Sequence, residues 1–245
     1  MTNVLEFSMN DPSIGLIVRS TRNGPELELT NVFLSQYKGR LSTLKRHYAL
    51  FYEPLLPTGF PDVIVVSYNP KYFKSWNSER SNLTIIDLKV LHHLYFVQGS
   101  SSEDIKNQLG IDGTTLFRVL ERLLDSSMIR RTKKRWIPRS LKSRYGVTNI
   151  QAIEAKVSDW QGVFQQASMN RWFASESCVL SPVQSPSSKV MNRAKKLGVG
   201  IYSLSTGTPV KTVQKPVRGC LPSSYASWML NEWIGRRLFQ IGGMC

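Results

Sequence analysis

The sequence predicts an α/β fold in which a compact three-helix module interrupts a mixed sheet. Three observations support this prediction. Short apolar strands bounded by Pro and Gly turns occur early in the chain, capped helices follow over residues 84–129, and strands alternate with helices again over residues 147–204. An insertion between neighbouring strands is tolerated because its two ends lie close together. The predicted domains are a discontinuous α/β core, residues 1–80 and 138–245, and an inserted module, residues 81–137.

The first elements of the core are predicted to be a basic helix and two strands. Residues 31–50 have apolar positions at helical spacing with basic residues between them, which predicts a helix. Residues 50–56 and 62–68 are typical of short strands, and a turn rich in Pro and Gly joins them. The second strand starts with Pro61-Asp62 and continues as an apolar run.

The inserted module carries capping signals for three helices. In chain order these signals are Thr84 with Asp87, Ser101, Gly110 and Gly113. The remaining elements are predicted to be a strand over 147–157, a helix over 160–174, a strand over 177–180, a helix over 187–198, a strand over 199–204, a loop over 205–223 and a packing helix over 224–239. Core packing explains the last helix, and a homodimer interface is the alternative.

The charge balance limits the kinds of partner. The chain has 32 Lys and Arg against 17 Asp and Glu, a formal net charge of +15. Such an excess creates a field that concentrates polyanions, so DNA, RNA and anionic membranes are candidates. The alternative is a basic protein without a polyanionic partner. No apolar run approaches the length that spans a bilayer, and a membrane partner is not expected.

The cysteines and the first residues of the chain predict a cytoplasmic protein. Cys178, Cys220 and Cys245 are few, odd in number and far apart, which argues for a reducing compartment and against a disulfide framework or a zinc site. The first residues include Glu6 and Asp11 and lack the basic start and long apolar stretch of a secretory signal.

A basic hairpin follows the third helix of the module. Between Ser126 and Val147 there are eight basic residues and no acidic one. Three helices followed by such a hairpin resemble a winged helix-turn-helix, in which the third helix enters the major groove and the wing contacts phosphates. The resemblance implies double-stranded DNA as partner, with Thr114, Thr115 and Arg118 facing the bases. The implied phosphate contacts are Arg130, Arg131, Lys133, Lys134 and Arg135. A solvated hairpin, or a module used for protein contacts, is the alternative.

Two acids and a lysine could meet in the core. Side chains alternate along a strand, so Glu154 and Lys156 are expected on one face and Ala155 on the other. If this strand pairs with the one that follows Asp62, two carboxylates and an ammonium group surround one point. Phosphodiester hydrolysis needs such groups, because carboxylates hold Mg²⁺ or Mn²⁺ and a lysine can orient the attacking water. The alternative is a surface ion pair, with Asp62 serving only as a turn residue.

These residues resemble the PD-(D/E)xK nuclease superfamily, whose restriction-endonuclease-like core has the order αβββαβ. The likeness covers residues 31–78 and 145–204. It implies that Asp62, Glu154 and the backbone carbonyl of Ala155 ligate the metal and that Lys156 assists the water. It also implies that Gln166, or less favourably Gln165, steadies the site from the next helix.

One feature departs from that family. Many members carry an acid on the first core helix, and residues 31–50 contain none. Glu53 is either a substitute third carboxylate or an edge residue.

The expected function is therefore metal-dependent DNA cleavage directed by a winged helix, in a mobile-element, defence or recombination setting that includes a larger nucleoprotein assembly. The alternative is a non-catalytic DNA-binding regulator or assembly component with a degenerate nuclease fold. An RNA-directed nuclease is disfavoured, because a winged helix contacts duplex DNA grooves.

Overall fold

The computed structural model describes residues 3–20, 23–205 and 207–242. The strands are β1 Val4–Phe7, β2 His47–Tyr52, β3 Val63–Tyr68, β4 Ile129–Arg131, β5 Trp136–Pro138, β6 Val147–Ala155, β7 Glu176–Ser181, β8 Gly200–Ser203 and β9 Lys211–Gln214. The α-helices are α1 Pro25–Ser42, α2 Ile85–Phe96, α3 Ser102–Leu109, α4 Gly113–Asp125, α5 Trp160–Asn170, α6 Ser188–Leu197 and α7 Tyr225–Gly242. The chain divides into two compact units. We call Met1–Tyr68 with Val147–Ser223 the sheet unit, and Asn69–Gly146 with Ser224–Cys245 the helical unit.

The sheet unit contains a seven-stranded mixed sheet in the order β1-β2-β3-β6-β7-β8-β9. Strand β2 pairs parallel with β1 and antiparallel with β3, and β3 pairs antiparallel with β6. Strands β6, β7 and β8 are parallel, and β9 returns antiparallel along β8. The predicted pairing of the strand after Asp62 with the strand that contains Glu154 is therefore confirmed.

Helices cover both faces of this sheet. Phe33 and Leu34 of α1 belong to a core with Ile153 and Leu180 of the sheet. Val179, which directly precedes Leu180 on β7, belongs to a second core formed with α5 and α6. Since successive side chains of a strand point to opposite faces, α1 lies on one face and α5 and α6 on the other.

The helical unit contains the predicted three helices and hairpin. The backbone N–H of Thr84 donates to the Asp87 carboxylate at 2.6 Å, as the predicted capping arrangement requires. Ser101 caps α3, Gly110 ends it with a left-handed φ of 63°, and Asp112 caps α4. Strands β4 and β5 form a two-stranded antiparallel hairpin.

The division of the chain differs from the predicted one. The inserted segment covers residues 69–146 rather than 81–137, and the C-terminal helix α7 belongs with it rather than with the α/β core. Helix α7 packs against α2. An amphipathic pattern predicts that a helix buries one face, but it does not say in which core.

Two segments of the sheet unit also differ from the prediction. The first helix covers Pro25–Ser42 instead of residues 31–50, because Pro25 and two acids form a favourable first turn and His47–Tyr52 joins the sheet. Within the predicted loop 205–223, Lys211–Gln214 forms β9. Cys178 and Cys220 are free, and Cys245 lies outside the described residues. Over the described ranges, every helix is too short or too polar to cross a bilayer.

Candidate active site in the sheet unit

The pairing of β3 with β6 brings two carboxylates together. Val63 lies opposite Ile153, so Asp62, just before β3, faces the end of β6 where Glu154 lies. The backbone N–H of Ala155 donates to Asp62 Oδ2 at 2.8 Å. Asp62 is thus fixed by the neighbouring strand, and its side chain remains 26% exposed.

Glu154 is buried, with 4% of its surface exposed, and faces α5. Asn170 on that helix donates its side-chain amide to Glu154 Oε1 at 2.5 Å. Burial, and next the negative charge of Asp62, raise the pKa of Glu154 to about 8, although the Asn170 hydrogen bond opposes the shift. Glu154 therefore favours the protonated form unless a cation compensates its charge.

The pKa of Asp62 is raised to about 6. Burial is the main cause, and the charges of Glu53 and Glu26 add to it. The Ala155 hydrogen bond and the positive charge of Arg19 act in the opposite direction. Two neighbouring acids with raised pKa values are typical of a functional site.

Glu53 and Arg19 form an ion pair beside Asp62. Glu53 is buried, and its φ of 41° lies in the left-handed region that a residue with a side chain rarely adopts. Such backbone strain persists where surrounding structure enforces it and often occurs at functional sites. Arg19 Nε donates to Glu53, and the Arg19 guanidinium lies 4.0 Å from Asp62 Oδ1. Arg19 thus lies close to both acids, and its side chain is 47% exposed.

Lys156 contacts an acid that the sequence prediction missed. Its Nζ lies 2.8 Å from Glu26 Oε1, in the first turn of α1, and this hydrogen bond is the largest cause of the raised pKa of Lys156. The prediction started the helix at residue 31 and so excluded Glu26. Pro25 followed directly by an acid is a helix-start signal that would have found it.

Glu154 and Lys156 do not share one environment, contrary to the prediction. Strand β6 ends at Ala155, so side-chain alternation is not maintained as far as Lys156. Glu154 contacts Asn170 of α5, whereas Lys156 contacts Glu26 of α1, on the other face of the sheet. Asp62 links the two groups, because its charge acts on both Glu154 and Lys156.

The predicted amide on α5 is also replaced by a neighbour. Gln165 and Gln166 are exposed, and within the described residues neither contacts Glu154. Asn170, one helical turn after Gln166, is buried and makes that contact instead. The choice between these positions depends on how α5 lies on the sheet, which the local sequence does not specify.

A cleft of about 360 Å³ opens beside these groups. It is lined by Ser8, Arg19, Glu26, Leu27, Thr30, Asn31, Tyr52, Glu53 and Asp62. In the described part of the chain, no three His, Cys, Asp or Glu side chains are grouped closely enough to hold a metal ion by themselves. The donors that do meet, Asp62 and Glu154, are carboxylates, which suit a hard cation such as Mg²⁺ that keeps several of its waters. A divalent cation would also stabilise the charged forms of both acids, which burial and neighbouring negative charges disfavour.

The predicted DNA-binding residues lie on the helical unit, and most are exposed. Thr114 and Arg118 are exposed on α4, whereas Thr115 is half-buried and its backbone N–H is used by the Asp112 cap. Phe117, 61% exposed on the same helix, was not predicted. The hairpin residues Arg130, Arg131, Lys133, Lys134 and Arg135 are all exposed. Arg131 lies over the Trp136 ring, and Arg135 donates to the Gly99 carbonyl.

Comparisons of this chain with protein-family models, with curated proteins and with solved structures find no match.

Proposed function

We propose that the protein is a Mg²⁺- or Mn²⁺-dependent deoxyribonuclease of the PD-(D/E)xK type, directed to duplex DNA by a winged-helix module. One observation carries the proposal: the β3–β6 pairing holds Asp62 next to Glu154, both with raised pKa values, and Asp62 lines a cleft. A fold does not gain stability from burying one acid beside another, so the arrangement needs a function to explain it.

Asp62 and Glu154 would hold the cation, with the Ala155 carbonyl as a further donor. A bound divalent cation supplies charge neutralisation at the phosphate and a more acidic water. Asn170 orients the Glu154 carboxylate through its amide. Lys156 holds its ammonium charge beside Asp62, where it can stabilise negative charge that develops on the phosphate. Glu26 keeps that ammonium in place at 2.8 Å.

The helical unit supports the DNA-binding half of the proposal. Helix α4 presents Thr114 and Arg118 to solvent, next to a hairpin of exposed cations. Arg118 has the fork of donors that pairs with a guanine edge. The cationic hairpin provides sequence-independent attraction to phosphates.

A non-catalytic DNA-binding regulator is the second candidate. It is favoured by the separation of Lys156 from Glu154, which contact different helices. A regulator needs no lysine in reach of the scissile phosphate.

Plasmid cleavage with Mg²⁺ or Mn²⁺ distinguishes the two. We expect the wild-type protein to nick or linearise plasmid, and Glu154→Gln and Lys156→Ala to lose at least about a hundredfold in rate, as expected for groups acting in the transition state. Lys45→Ala is the matched control, because Lys45 is an exposed lysine of the same unit outside the cleft. Each variant must keep the wild-type melting temperature and DNA affinity. Binding without metal-dependent cleavage in the wild-type protein would establish the regulator instead.

A further inference from the structure

A second basic surface lies on the sheet unit, whereas the predicted wing belongs to the helical unit. Between Glu176 and Glu232 the sequence contains no Asp or Glu and seven cations. These are Lys189, Arg193, Lys195, Lys196, Lys211, Lys215 and Arg218. All seven are exposed.

Four of these cations share one face, which we call the basic edge surface: Lys189, Arg193 and Lys196 of α6, and Lys211 at the start of β9. The three helix residues recur at i, i+4 and i+7, which places them along one side of α6. Ile201 of β8 packs into the core with α6, and side chains two apart on a strand share a face, so Ser203 points to the same side. Lys211 lies opposite Ser203 and therefore also points to the same side of the sheet as α6.

The charges of this surface are not compensated within the protein. Over residues 3–20, 23–205 and 207–242, none of the four cations takes part in an ion pair. Arg193 lies over the Phe164 ring at 5.6 Å, a contact that leaves its charge unneutralised. Protein surfaces usually intersperse both signs of charge, and a large field of one sign attracts a polyanion.

The surface reaches the edge of the sheet where the two acids lie. Strands β6 and β7 are parallel, and α6 begins shortly after the end of β7, so Lys189 in its first turn lies at the same edge as Glu154. Lys211 pairs with Ser203 at the end of β8, also at this edge. From β6 to β9 there are three strand spacings, about 14 Å. Duplex DNA carries one phosphate charge per roughly 1.7 Å of its axis, so several phosphates fit along this distance.

We propose that the basic edge surface binds the backbone of duplex DNA beside the cleavage site, without reading its sequence. The inference rests on the proposed nuclease function for the position of the substrate. Helix α6 and strand β9 contain no aromatic residue. Single-stranded nucleic acids are commonly bound by aromatic stacking, and surface-bound membrane helices insert an apolar face. A duplex needs cations alone.

The test is the salt dependence of binding to a short duplex of arbitrary sequence, measured by fluorescence anisotropy on the full chain in EDTA. The variant is Lys189→Gln/Arg193→Gln/Lys196→Gln. The matched control is Arg40→Gln/Lys45→Gln/Arg46→Gln, which removes three exposed cations near the start of β2, at the opposite edge of the same sheet. Each lost phosphate contact lowers the magnitude of the negative slope of log K against log salt by about 0.9. We expect this magnitude to fall by about 2 to 3 in the variant and by less than about 1 in the control.

An unchanged slope in the variant, or an equal fall in the control, overturns the proposal. So does a loss of binding to single-stranded RNA or to phosphatidylserine vesicles while duplex binding is kept. Melting temperatures equal to wild type show that the variant is folded. Because EDTA prevents cleavage, this result is independent of whether the protein is a nuclease. Cleavage with an unchanged slope would reject only the surface, and a reduced slope without cleavage would reject only the nuclease.

Discussion

The two units treat buried charge in opposite ways. In the helical unit, Arg80 and Glu232 are each 1% exposed and bond to one another through two contacts, at 2.9 and 2.7 Å. In the sheet unit, Glu154 is buried beside another acid, and its side-chain partner is the neutral amide of Asn170. A buried pair of opposite charges is explained by the architecture around it, whereas a buried acid next to a like charge is not. The comparison therefore separates a structural cluster from a candidate functional one.

Breaking the structural pair should have the largest effect on stability. Glu232→Leu leaves the Arg80 guanidinium buried and unpaired, and we expect the free energy of unfolding to fall by about 3–5 kcal/mol. The double variant Arg80→Met/Glu232→Leu should recover most of this loss, because both charges of this buried pair are then removed. Urea denaturation followed by tryptophan fluorescence measures both. Equal losses in the single and double variants would mean that shape, rather than charge, holds this region together.

A second buried acid of the helical unit should give an intermediate effect. Asp87 is fully buried, contacts Arg122 at 2.7 Å and caps α2 through Thr84. We expect Asp87→Ala to cost about 2–3 kcal/mol, since it removes hydrogen bonds to a charged group. Asp104 at the start of α3 is exposed, so Asp104→Ala is the control and should cost less than about 1 kcal/mol. Similar losses in the free energy of unfolding for both variants would show that the burial of Asp87 does not strengthen its hydrogen bonds.

The candidate functional cluster should respond with the opposite sign. The pKa of Glu154 is about 8 in the folded chain against an ordinary value of 4.5, so the folded state holds a proton that the unfolded state releases. The free energy of unfolding therefore falls as pH rises from about 4.5 to 8. We expect Glu154→Gln to raise the melting temperature at pH 8, by roughly 2–4 °C for each kcal/mol gained, and to change it little at pH 5. Added Mg²⁺ at pH 8 should stabilise the wild-type protein and not this variant. Destabilisation at pH 8 would show that the Glu154 carboxylate is structural.

The smallest effect on stability should come from the pair that we place in the mechanism. Lys156 and Glu26 are 30% and 44% exposed, and solvent screens such pairs. A double-mutant cycle with Lys156→Ala and Glu26→Gln should give a coupling energy below about 1 kcal/mol. A coupling above about 2 kcal/mol would assign the pair to the architecture, like Arg80 and Glu232.

Local sequence signals predicted most of the helices and strands. How distant elements pack against one another could not be predicted in the same way. Thr84, Ser101 and Gly110 each fix a helix end through a bond to a near neighbour, so the sequence alone locates them. The apolar run after Asp62 and the strand that contains Glu154 were found from their patterns, and their pairing followed from the nuclease resemblance.

What the sequence could not predict depends on how separate elements pack. Strand β9 is four residues long and is a strand because β8 offers it an edge. Asn170 rather than Gln166 contacts Glu154 because of how α5 lies on the sheet. No local pattern carries these facts. Glu26 was different, because Pro25 signalled its helix and the signal was missed.

The separation of Arg80 from Glu232 along the chain has a consequence on the ribosome. The two residues are 152 positions apart, and synthesis proceeds from the N-terminus. At about 5–20 residues per second, Arg80 emerges roughly 8–30 s before its partner acid is made. During that interval the nascent helical unit carries a guanidinium that it cannot yet bury, whereas every residue of the sheet unit is already synthesised once Ser223 has been added. A chain that stalls or terminates between Ser223 and Glu232 would therefore expose the helical unit, and not the sheet unit, to chaperones and proteases.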